Sequence, residues 1–438
     1  MGTNATSSRP AARRASAFYT FHPEVEWQSD YPRKREILDQ VWKLWRRYEL
    51  SSRTSFGCKV NRVWKEDRRW VVNDYRHGYF DGIIAAVGTC GEIREYTLQG
   101  QQSFVGEVVH SSQLDETNVT GKRVVVVGAG ASAAEAMEYA CDHGAAHTKV
   151  VSRSQRWLIP RHPLLNALLA ALIADPFGLL ASVVEYLVRI FSYGDLSHMA
   201  PSKSCKHGIF ASTPVVNSRV LELVRSGSAE WLQGDIKGFD TDGIRYTPRG
   251  SMASDTTTRQ GSSNVAKADL CILATGYARP SLSFLPSAFF KDPRYSAPNW
   301  YMQNFPTDDA TLCCLNCTWL HGIGAVGGAH ITIYTRFLLA FLLDPATRPS
   351  SWWMRRWVDW AHLVKKPLPG GALAFVSSAE MYCWFLFAIL LQPALWPWAR
   401  FRVGEDIAEY LIAWQRSSTL STVEMLYAKG GGLSLMTV

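Results

Sequence analysis

The stretch of residues 121–140, GKRVVVVGAGASAAEAMEYA, decides the fold of this 438-residue chain. It opens with RVVVV (residues 123–127), an apolar β-branched run that is typical of a parallel strand covered on both faces. The turn GAGASA (residues 128–133) follows, with the pattern G-x-G-x-x-A, and then a predicted helix over residues 131–141. A strand, this turn and a helix in immediate succession predict a βαβ unit of a doubly wound α/β domain.

The small residues of this turn suit a dinucleotide. Gly128 permits the tight turn, Gly130 lets the backbone approach a pyrophosphate, and Ala133 is small enough for the helix to pack on the strand. Ser132 lies in the first helical turn, where free N–H groups and the helix dipole favour an anion. We therefore predict that Gly128, Gly130, Ser132 and Ala133 bind a dinucleotide cofactor.

The second predicted strand, residues 148–152, indicates which dinucleotide. A site for NAD carries an acidic residue near this strand end, but here the chain continues as Ser-Arg-Ser-Gln-Arg over residues 152–156. Arg153 and Arg156 suit a 2′-phosphate, so the sequence favours NADP. The alternative is an α/β unit that binds no nucleotide and carries surface arginines.

Composition excludes several classes of protein. Apolar residues make up 47% and charged residues 19%, which excludes a disordered chain. The net charge of +8 is mild for this length and suits an anionic cofactor or a lipid surface better than duplex DNA, so no nucleic-acid partner is expected. The nine cysteines lie mostly in apolar runs, which indicates reduced packing cysteines and a cytoplasmic location.

Other segments predict the remaining elements. Residues 33–48 have the spacing of an amphipathic helix with one strongly basic face. Its predicted apolar face consists of Ile37, Leu38, Val41, Trp45 and Tyr48. Residues 79–86 predict a strand, residues 311–328 a strand and a glycine-rich turn, and residues 331–343 a helix. The polar stretch 249–267 predicts a surface loop.

Two apolar regions are candidate membrane elements. Residues 164–191 are interrupted by charges and predict two amphipathic helices. Residues 381–399 form 19 residues without a charge, near the length that spans a bilayer, although Gln392, Pro393 and Pro397 break the run. Spanning, peripheral insertion and a soluble core are all open, and we expect any contact with an intracellular membrane to be peripheral, through this Trp-rich C-terminal region.

Five further segments carry a family resemblance. FVGEVVHS (residues 104–111) resembles the FxGxxxH fingerprint of class B flavin monooxygenases, and DLCILATGY (residues 269–277) resembles their D-x-x-[IV]-x-A-T-G-Y segment. DGIIAAVG (residues 81–88), SDYP (residues 29–32) and the pattern R-x-x-x-W-x-x-P-R (residues 153–161) resemble further family segments in the same order. The resemblance covers roughly residues 29–277 and looks most like the fungal, secondary-metabolism branch.

The resemblance implies a two-dinucleotide-binding-domain, Rossmann-like flavoprotein with FAD and NADP. In the family NADPH reduces the flavin, and a flavin C4a-hydroperoxide formed with O2 transfers one oxygen atom to a small lipophilic, natural-product-like substrate. The resemblance places Gly88, Thr275 and Gly276 against the flavin. It makes His110 a catalytic residue that, with Gly106, ties the interdomain linker and times the hydride step.

The chain also departs from the family, because no glycine-rich turn for FAD is found before residue 29. A lost exon, weak or partner-assisted flavin binding, and a degenerate relative are the open explanations. The expected division is a polar tail (1–28), a partial FAD-type domain (29–110 and 268–344), an NADP domain with a helical insertion (111–267) and a Trp-rich helical C-terminal region (345–438).

Two alternative functions remain open. One is an NADP-binding, non-catalytic family member. The other is an NADPH-dependent flavin disulfide or quinone reductase, which would need a cysteine pair such as Cys313 and Cys317 beside the flavin. No metal is expected, because Cys313, Cys314 and Cys317 have no second Cys or His pair at zinc spacing.

Overall fold

A computed structural model describes residues 34–94, 96–161, 179–201, 214–249, 263–315, 317–318, 328–365 and 435–437, together with residues 25, 27, 32, 165 and 209. The described residues form two compact units. Unit 1 contains the described residues within 24–49 and 92–278, and unit 2 contains those within 50–91 and 279–438. The apolar segment 381–399, the turn at 322–327 and, apart from residues 25 and 27, the predicted tail 1–28 lie outside the described residues.

The described strands are, in chain order, β1 (Val63–Glu66), β2 (Arg69–Val72), β3 (Gly82–Ala85), β4 (Glu107–His110), β5 (Arg123–Val127), β6 (His147–Ser152), β7 (Leu158–Ile159), β8 (Val215–Val216), β9 (Ala229–Asp240), β10 (Gly243–Pro248), β11 (Asn264–Lys267), β12 (Leu270–Leu273), β13 (Leu312–Cys314) and β14 (Leu435–Thr437). The α-helices are α1 (Lys34–Arg47), α2 (Ala131–Asp142), α3 (Leu179–Val188), α4 (Arg219–Arg225), α5 (Gly328–Leu343) and α6 (Ser351–Lys365).

Unit 1 is built on a seven-stranded sheet in the order β11-β10-β9-β6-β5-β12-β4. Strands β4, β12, β5, β6 and β9 run parallel, and β10 and β11 extend the sheet antiparallel. The strand, turn and helix predicted from residues 121–140 are confirmed as β5, the turn and α2. The sheet therefore has the parallel α/β architecture that the sequence predicts.

Both faces of this sheet are covered, as its apolar strands require. Val124 and Val126 of β5 belong to a core cluster that includes residues of α2, and Val125 and Val127 belong to the cluster on the opposite face. Side chains alternate along a strand, so one valine run serves both faces. The sheet is thereby held rigidly from both sides.

Three predictions for unit 1 need correction or detail. In α1 the buried residue is Leu44, which the predicted apolar face omitted, while Leu38 and Tyr48 are exposed. The predicted loop 249–267 contains β11, an edge strand whose Ala266 is buried opposite Ile244. An edge strand needs only one apolar face, so a polar sequence can form it. In the region 164–191 the described part forms α3.

Unit 2 contains a three-stranded parallel sheet in the order β13-β3-β14. Ile84 and Cys313 face a core cluster with residues of α5 and α6, whereas Ile83, Ala85, Leu312 and Cys314 face a second cluster with the β1–β2 hairpin. Helix α5 begins at Gly328, three residues before the predicted start. The strand predicted at residues 79–86 is confirmed as β3.

Helix α6 holds part of the Trp-rich region. Trp357 is 6% exposed and packs against Tyr301 with ring centroids 6.2 Å apart, whereas Trp352 is exposed. Trp357 is therefore a core residue of unit 2. Within the described ranges, no helix has the length and apolar character needed to cross a membrane.

Candidate functional site

The carboxyl ends of four parallel strands in unit 1 lie side by side. Register pairs Leu273 of β12 with both His110 of β4 and Val127 of β5, and Val127 with Val151 of β6. The motif residues that follow these strand ends therefore lie along one sheet edge, which we name the carboxyl edge. Ligands of open α/β sheets bind at such edges.

The two glycines of the turn differ in what surrounds them. Gly128 has φ +150°, and a Cβ there would lie 2.5 Å from the carbonyl oxygen of Ala274. Gly130 has φ −90°, and among the described residues no atom lies within 4 Å of where its Cβ would be. Gly128 thus allows β5 and the segment after β12 to approach, while Gly130 leaves open space.

Helix α2 begins beside that open space. The carbonyl of Gly130 accepts hydrogen bonds from the N–H groups of Ala133 (3.0 Å) and Ala134 (3.2 Å). Ala133 is fully buried in the core, and Ser132 lies half-buried in the first turn. The first N–H groups of a helix have no intrahelical acceptors, so this start can bind an anion.

The end of β6 carries no carboxylate. Ser152 is buried, and its Oγ accepts a hydrogen bond from Trp231 Nε1 at 3.0 Å. Arg153 is exposed directly after it. Burial lowers the pKa of the Arg156 guanidinium. This strand end is therefore polar and cationic.

A third arginine, Arg249, joins this group, and no sequence motif indicates it. Arg249 Nη1 donates to the carbonyl of Arg153 at 3.3 Å, and its Nε lies 2.7 Å from Asp235 Oδ2. Asp235 thus offsets part of the added charge. Arg249 is 96 residues from Arg153 in sequence. It follows β10, and the pairing of β10 with β9 and of β9 with β6 brings it there. No local pattern could have indicated this contact.

His110 ends β4 at the same edge and is 8% exposed. Its Nδ1 accepts a hydrogen bond from the N–H of Ser112 (3.2 Å), while Gln113 Oε1 accepts one from the backbone N–H of His110 (3.0 Å). Because Nδ1 is an acceptor, the proton of the neutral ring is assigned to Nε2.

The ring of His110 lies against the ATGY segment. Burial lowers the pKa of His110, and the backbone of Gly276 offsets part of this shift. The ring packs edge-on against Tyr277 with centroids 5.3 Å apart. The structure therefore brings together His110 and Gly276, which the sequence analysis selected from two separate motifs.

The segment after β12 is held by residues 92–94. The carbonyl of Gly276 accepts a hydrogen bond from Arg94 N–H (3.1 Å), and Thr275 Oγ1 donates to the carbonyl of Arg94 (3.3 Å). Gly276 has φ +80°, and no described atom lies within 4 Å of its hypothetical Cβ. Thr275 and Gly276 thus present an open stretch of backbone. The contribution of Arg94 was not apparent from the sequence.

Gly106 lies at the other end of β4. A Cβ there would lie 2.4 Å from the ring of Phe104 and 2.6 Å from the carbonyl oxygen of Asp269. This close packing at the amino end of β4 explains why a glycine is needed there, and it involves no contact with a cofactor. Asp269, the first residue of the D-x-x-[IV]-x-A-T-G-Y segment, also lies at this end and binds the Arg123 guanidinium at 2.6 Å, which lowers the pKa of its carboxyl to about 2.

Arg161, from the R-x-x-x-W-x-x-P-R pattern, belongs to a buried network. Its Nη2 lies 3.7 Å from Glu138 Oε1 on α2, and Asn217 Nδ2 donates to the same carboxylate at 2.5 Å. Asn217 Oδ1 accepts a hydrogen bond from the Val220 N–H at the start of α4. The network therefore ties α2, α4 and the residues after β7 together.

In unit 2 the candidate residue Gly88 follows β3. It has φ +81°, and none of the described atoms lies within 4 Å of its hypothetical Cβ. Like Gly276, it can accept a close approach of a ligand to the backbone.

Three cysteines near β13 in unit 2 are poorly suited to thiolate chemistry. Cys313, Cys314 and Cys317 are free and buried, and burial raises the pKa of the Cys313 and Cys314 thiols well above the usual value. Thiol–disulfide exchange requires an accessible thiolate. Across the part of the chain that the structure describes, no group of three or more His, Cys, Asp or Glu residues is arranged to hold a metal ion.

Comparison with known proteins identifies relatives of this chain. Residues 11–169 match the family described as pyridine nucleotide-disulphide oxidoreductase. A Baeyer–Villiger monooxygenase of Pseudomonas aeruginosa is 26% identical over 148 residues, which is 33% of this chain and 28% of that protein. The FAD-binding monooxygenase ktnD of Aspergillus niger is 25% identical over 158 residues, which is 33% of this chain and 26% of that protein. The matched segment thus spans about a quarter of the length of these relatives.

Solved structures extend the fold similarity over most of the chain. An oxidized steroid monooxygenase bound to NADP matches with a TM-score of 0.60 at 17% identity, covering 87% of this chain and 90% of that one. The OTEMO complex with FAD and NADP matches with a TM-score of 0.57 at 16% identity, covering 87% and 84%. The chain therefore has the α/β fold of these proteins, and its homologues over the matched segment are FAD-binding and Baeyer–Villiger monooxygenases.

Proposed function

We propose that this protein is an NADPH- and FAD-dependent monooxygenase that transfers one oxygen atom from O2 to a small lipophilic substrate. The observation that carries the proposal is the carboxyl edge of unit 1. There the register of β4, β12, β5 and β6 aligns the ends of three motifs that are far apart in sequence. The monooxygenase homologues support the same reaction class.

NADP binding is assigned to the turn and the end of β6. The open space at Gly130 and the start of α2 accept the pyrophosphate, with Ser132 in the first turn. Arg153 and Arg156, with Arg249 beside them, favour a 2′-phosphate over the free hydroxyl of NAD. Ala133 supports the site by allowing α2 to pack closely.

We assign flavin binding to segments whose backbone is not covered by other described atoms. Thr275 and Gly276 present such a stretch after β12, and Gly88 presents another after β3. The residues present fit the group, since a side chain at either glycine would fill the space that a planar ring needs. Bound FAD would supply the redox and oxygen chemistry that no protein side chain provides.

His110 is the proposed catalytic residue. With Nδ1 occupied by Ser112, the ring can donate a proton or a hydrogen bond only from Nε2, which has no partner among the described residues. Its lowered pKa keeps the ring neutral at physiological pH. It can therefore orient a bound polar group without adding a positive charge.

The substrate class rests on composition and on the relatives. We propose a natural-product-like molecule, because the sequence motifs look most like the fungal, secondary-metabolism branch and because ktnD of Aspergillus niger is an FAD-binding monooxygenase. The disulfide-reductase alternative is less well supported, because Cys313 and Cys317 are buried and burial raises the pKa of the Cys313 thiol.

The test is oxygen uptake by the purified chain incubated with FAD and NADPH, alone and together. The proposal expects uptake only with both, and faster uptake with NADPH than with NADH. Gly130→Val, which fills the open space at the turn, should abolish uptake while the protein remains folded by circular dichroism. Uptake by that variant at the wild-type rate would refute the NADP assignment.

A further inference from the structure

Arg249 lies beside the end of β6 at the carboxyl edge of unit 1. It directly follows β10, and its backbone N–H donates to the carbonyl of Gln233 at 3.0 Å. Gln233 of β9 is in register with Ser152, the last residue of β6. The β9–β10 hairpin therefore places Arg249 next to the strand end that we assign to the 2′-phosphate of NADP.

The guanidinium of Arg249 bridges two groups. Its Nε lies 2.7 Å from Asp235 Oδ2, and its Nη1 donates to the backbone carbonyl of Arg153 at 3.3 Å. Because a guanidinium is planar and rigid, the two contacts together fix its orientation. The bridge thus ties the segment that begins at Arg153 to the β9–β10 hairpin.

This bridge is accessible to a ligand. The side chain of Arg249 is 49% exposed and that of Asp235 is 32% exposed. Arg153 is exposed as well, and its guanidinium has no partner among the residues that the structure describes. A phosphate can therefore approach these arginines from solvent without displacing packed side chains.

Asp235 supplies a carboxylate near a strand end that has none in its own sequence. It lies two positions beyond Gln233 on β9, so the two residues share a face of the sheet. A carboxylate near this strand end accepts hydrogen bonds from the ribose hydroxyls of NAD, and it repels a 2′-phosphate. The ion pair with Arg249 opposes both effects.

The balance of charge at this strand end depends on Arg249. Arg153, Arg156 and Arg249 bring three positive charges and Asp235 brings one negative charge, which gives a net charge of +2. Without Arg249 the net charge falls to +1, and the carboxylate of Asp235 loses its cation. The attraction for a 2′-phosphate is then weaker, whereas a ribose hydroxyl gains an acceptor.

We propose that Arg249, anchored by Asp235, determines the preference of this chain for NADP over NAD. It is a positioning residue that fixes the backbone carrying Arg153 and offsets the charge of Asp235. This inference rests on the proposed function, because it takes NADP as the nucleotide, but it does not depend on FAD. It gives the β9–β10 hairpin a role in the choice of nucleotide.

The test compares Arg249→Met with the wild-type chain in calorimetric titrations with NADP+ and with NAD+. Methionine keeps an unbranched side chain and removes both contacts of the bridge. The dissociation constant for NADP+ should rise about 10-fold, while that for NAD+ should change less than about 2-fold. A purely structural role would weaken the binding of both nucleotides alike, and circular dichroism checks that the variant is folded.

The double variant D235N/R249M isolates the contribution of the carboxylate. With a neutral amide at position 235, the double variant should bind NADP+ about 3-fold more tightly than R249M does. Equal affinities of the single and double variants for NADP+ would overturn the role assigned to Asp235.

Arg225→Met is the matched control. Arg225 also lies beside a carboxylate, with its Nε 3.0 Å from Asp195 Oδ1, and its Nη2 donates to the carbonyl of Tyr193 at 3.2 Å. It ends α4, just before the amino end of β9, and is therefore at the opposite end of the parallel strands. This control should leave both dissociation constants unchanged.

The outcomes separate this inference from the proposed function. An R249M variant that keeps the wild-type preference for NADP+ would overturn this inference alone. Wild-type protein that binds NADP+ no more tightly than NAD+ would overturn both this inference and the NADP assignment. Loss of the preference in R249M, in a chain that takes up no oxygen with FAD and NADPH, would support this inference and refute the proposed monooxygenase.

Discussion

Two polar regions of the molecule contrast in how their buried groups are paired. In unit 1 the carboxylate of Glu138 accepts a hydrogen bond from Asn217 and lies 3.7 Å from Nη2 of Arg161, although Nε of Arg161 has no partner among the described residues. In unit 2 the amide oxygens of Gln303 and Asn304 are equally buried and lack partners among the described residues. The first region is closed by the protein itself and acts as scaffold. In the second, the described residues supply no donor to the amide oxygens, which is unfavourable for buried acceptors.

The closed region should be the more sensitive to mutation. Arg161→Met leaves the buried carboxylate of Glu138 without its cation, so we expect a loss of about 3–5 kcal/mol in the free energy of unfolding, measured with urea. The double variant E138Q/R161M removes both charges and should recover most of that loss. Equal stabilities of the single and double variants would show that the charge pair does not matter.

The two glycines of the nucleotide turn sharpen the same contrast. Gly128→Ala places a Cβ 2.5 Å from the carbonyl oxygen of Ala274, so we expect a loss of about 2–4 kcal/mol in unfolding free energy. Gly130→Ala is the matched control, because its Cβ meets no described atom, and it should cost less than about 1 kcal/mol. The control should instead weaken NADPH binding, measured by calorimetry. Similar losses of stability in both variants would contradict the distinction between a closed and an open glycine.

Substitution of Arg153 tests the proposed 2′-phosphate site at the end of β6. Arg153→Ala removes a charged donor from the proposed 2′-phosphate site, so the KM for NADPH should rise about 10- to 100-fold while the KM for NADH stays near the wild-type value. Arg53→Ala removes the same charge from an exposed position in unit 2 and should change neither constant. Equal effects of Arg153→Ala on both nucleotides would refute the assignment.

Substitution of His110 should give a smaller, pH-dependent effect on the free energy of unfolding. Its pKa is lowered in the folded protein, so between that pKa and the unfolded value near 6.5 the unfolded chain binds more protons. Stability relative to His110→Gln should therefore fall as the pH drops from 7 to 5, by at most about 1.4 kcal/mol per pH unit. Urea unfolding at several pH values measures this difference. Parallel curves of unfolding free energy against pH for the two proteins would show that folding does not lower the pKa of His110.

Sequence predicted the features that depend on local backbone. The β5 strand, its glycine turn and α2 follow from a valine run and from small residues at fixed spacing. What it missed depends on strand pairing across long separations: Arg249 beside Arg153, and Arg94 beside Gly276. The edge strand β11 was missed because it needs only one buried residue, Ala266. The turn at residues 301–305 contains no glycine, so its left-handed backbone left no pattern in the sequence.

The central claim is that NADPH reduces a flavin held by this chain and that O2 reoxidises it. The most direct measurement is the visible absorption spectrum of the purified chain reconstituted with FAD, recorded without oxygen before and after NADPH is added, and again after air is admitted. The account predicts a yellow protein that bleaches with NADPH and regains its colour in air. A chain that retains no flavin, or whose flavin spectrum does not respond to NADPH, would contradict it.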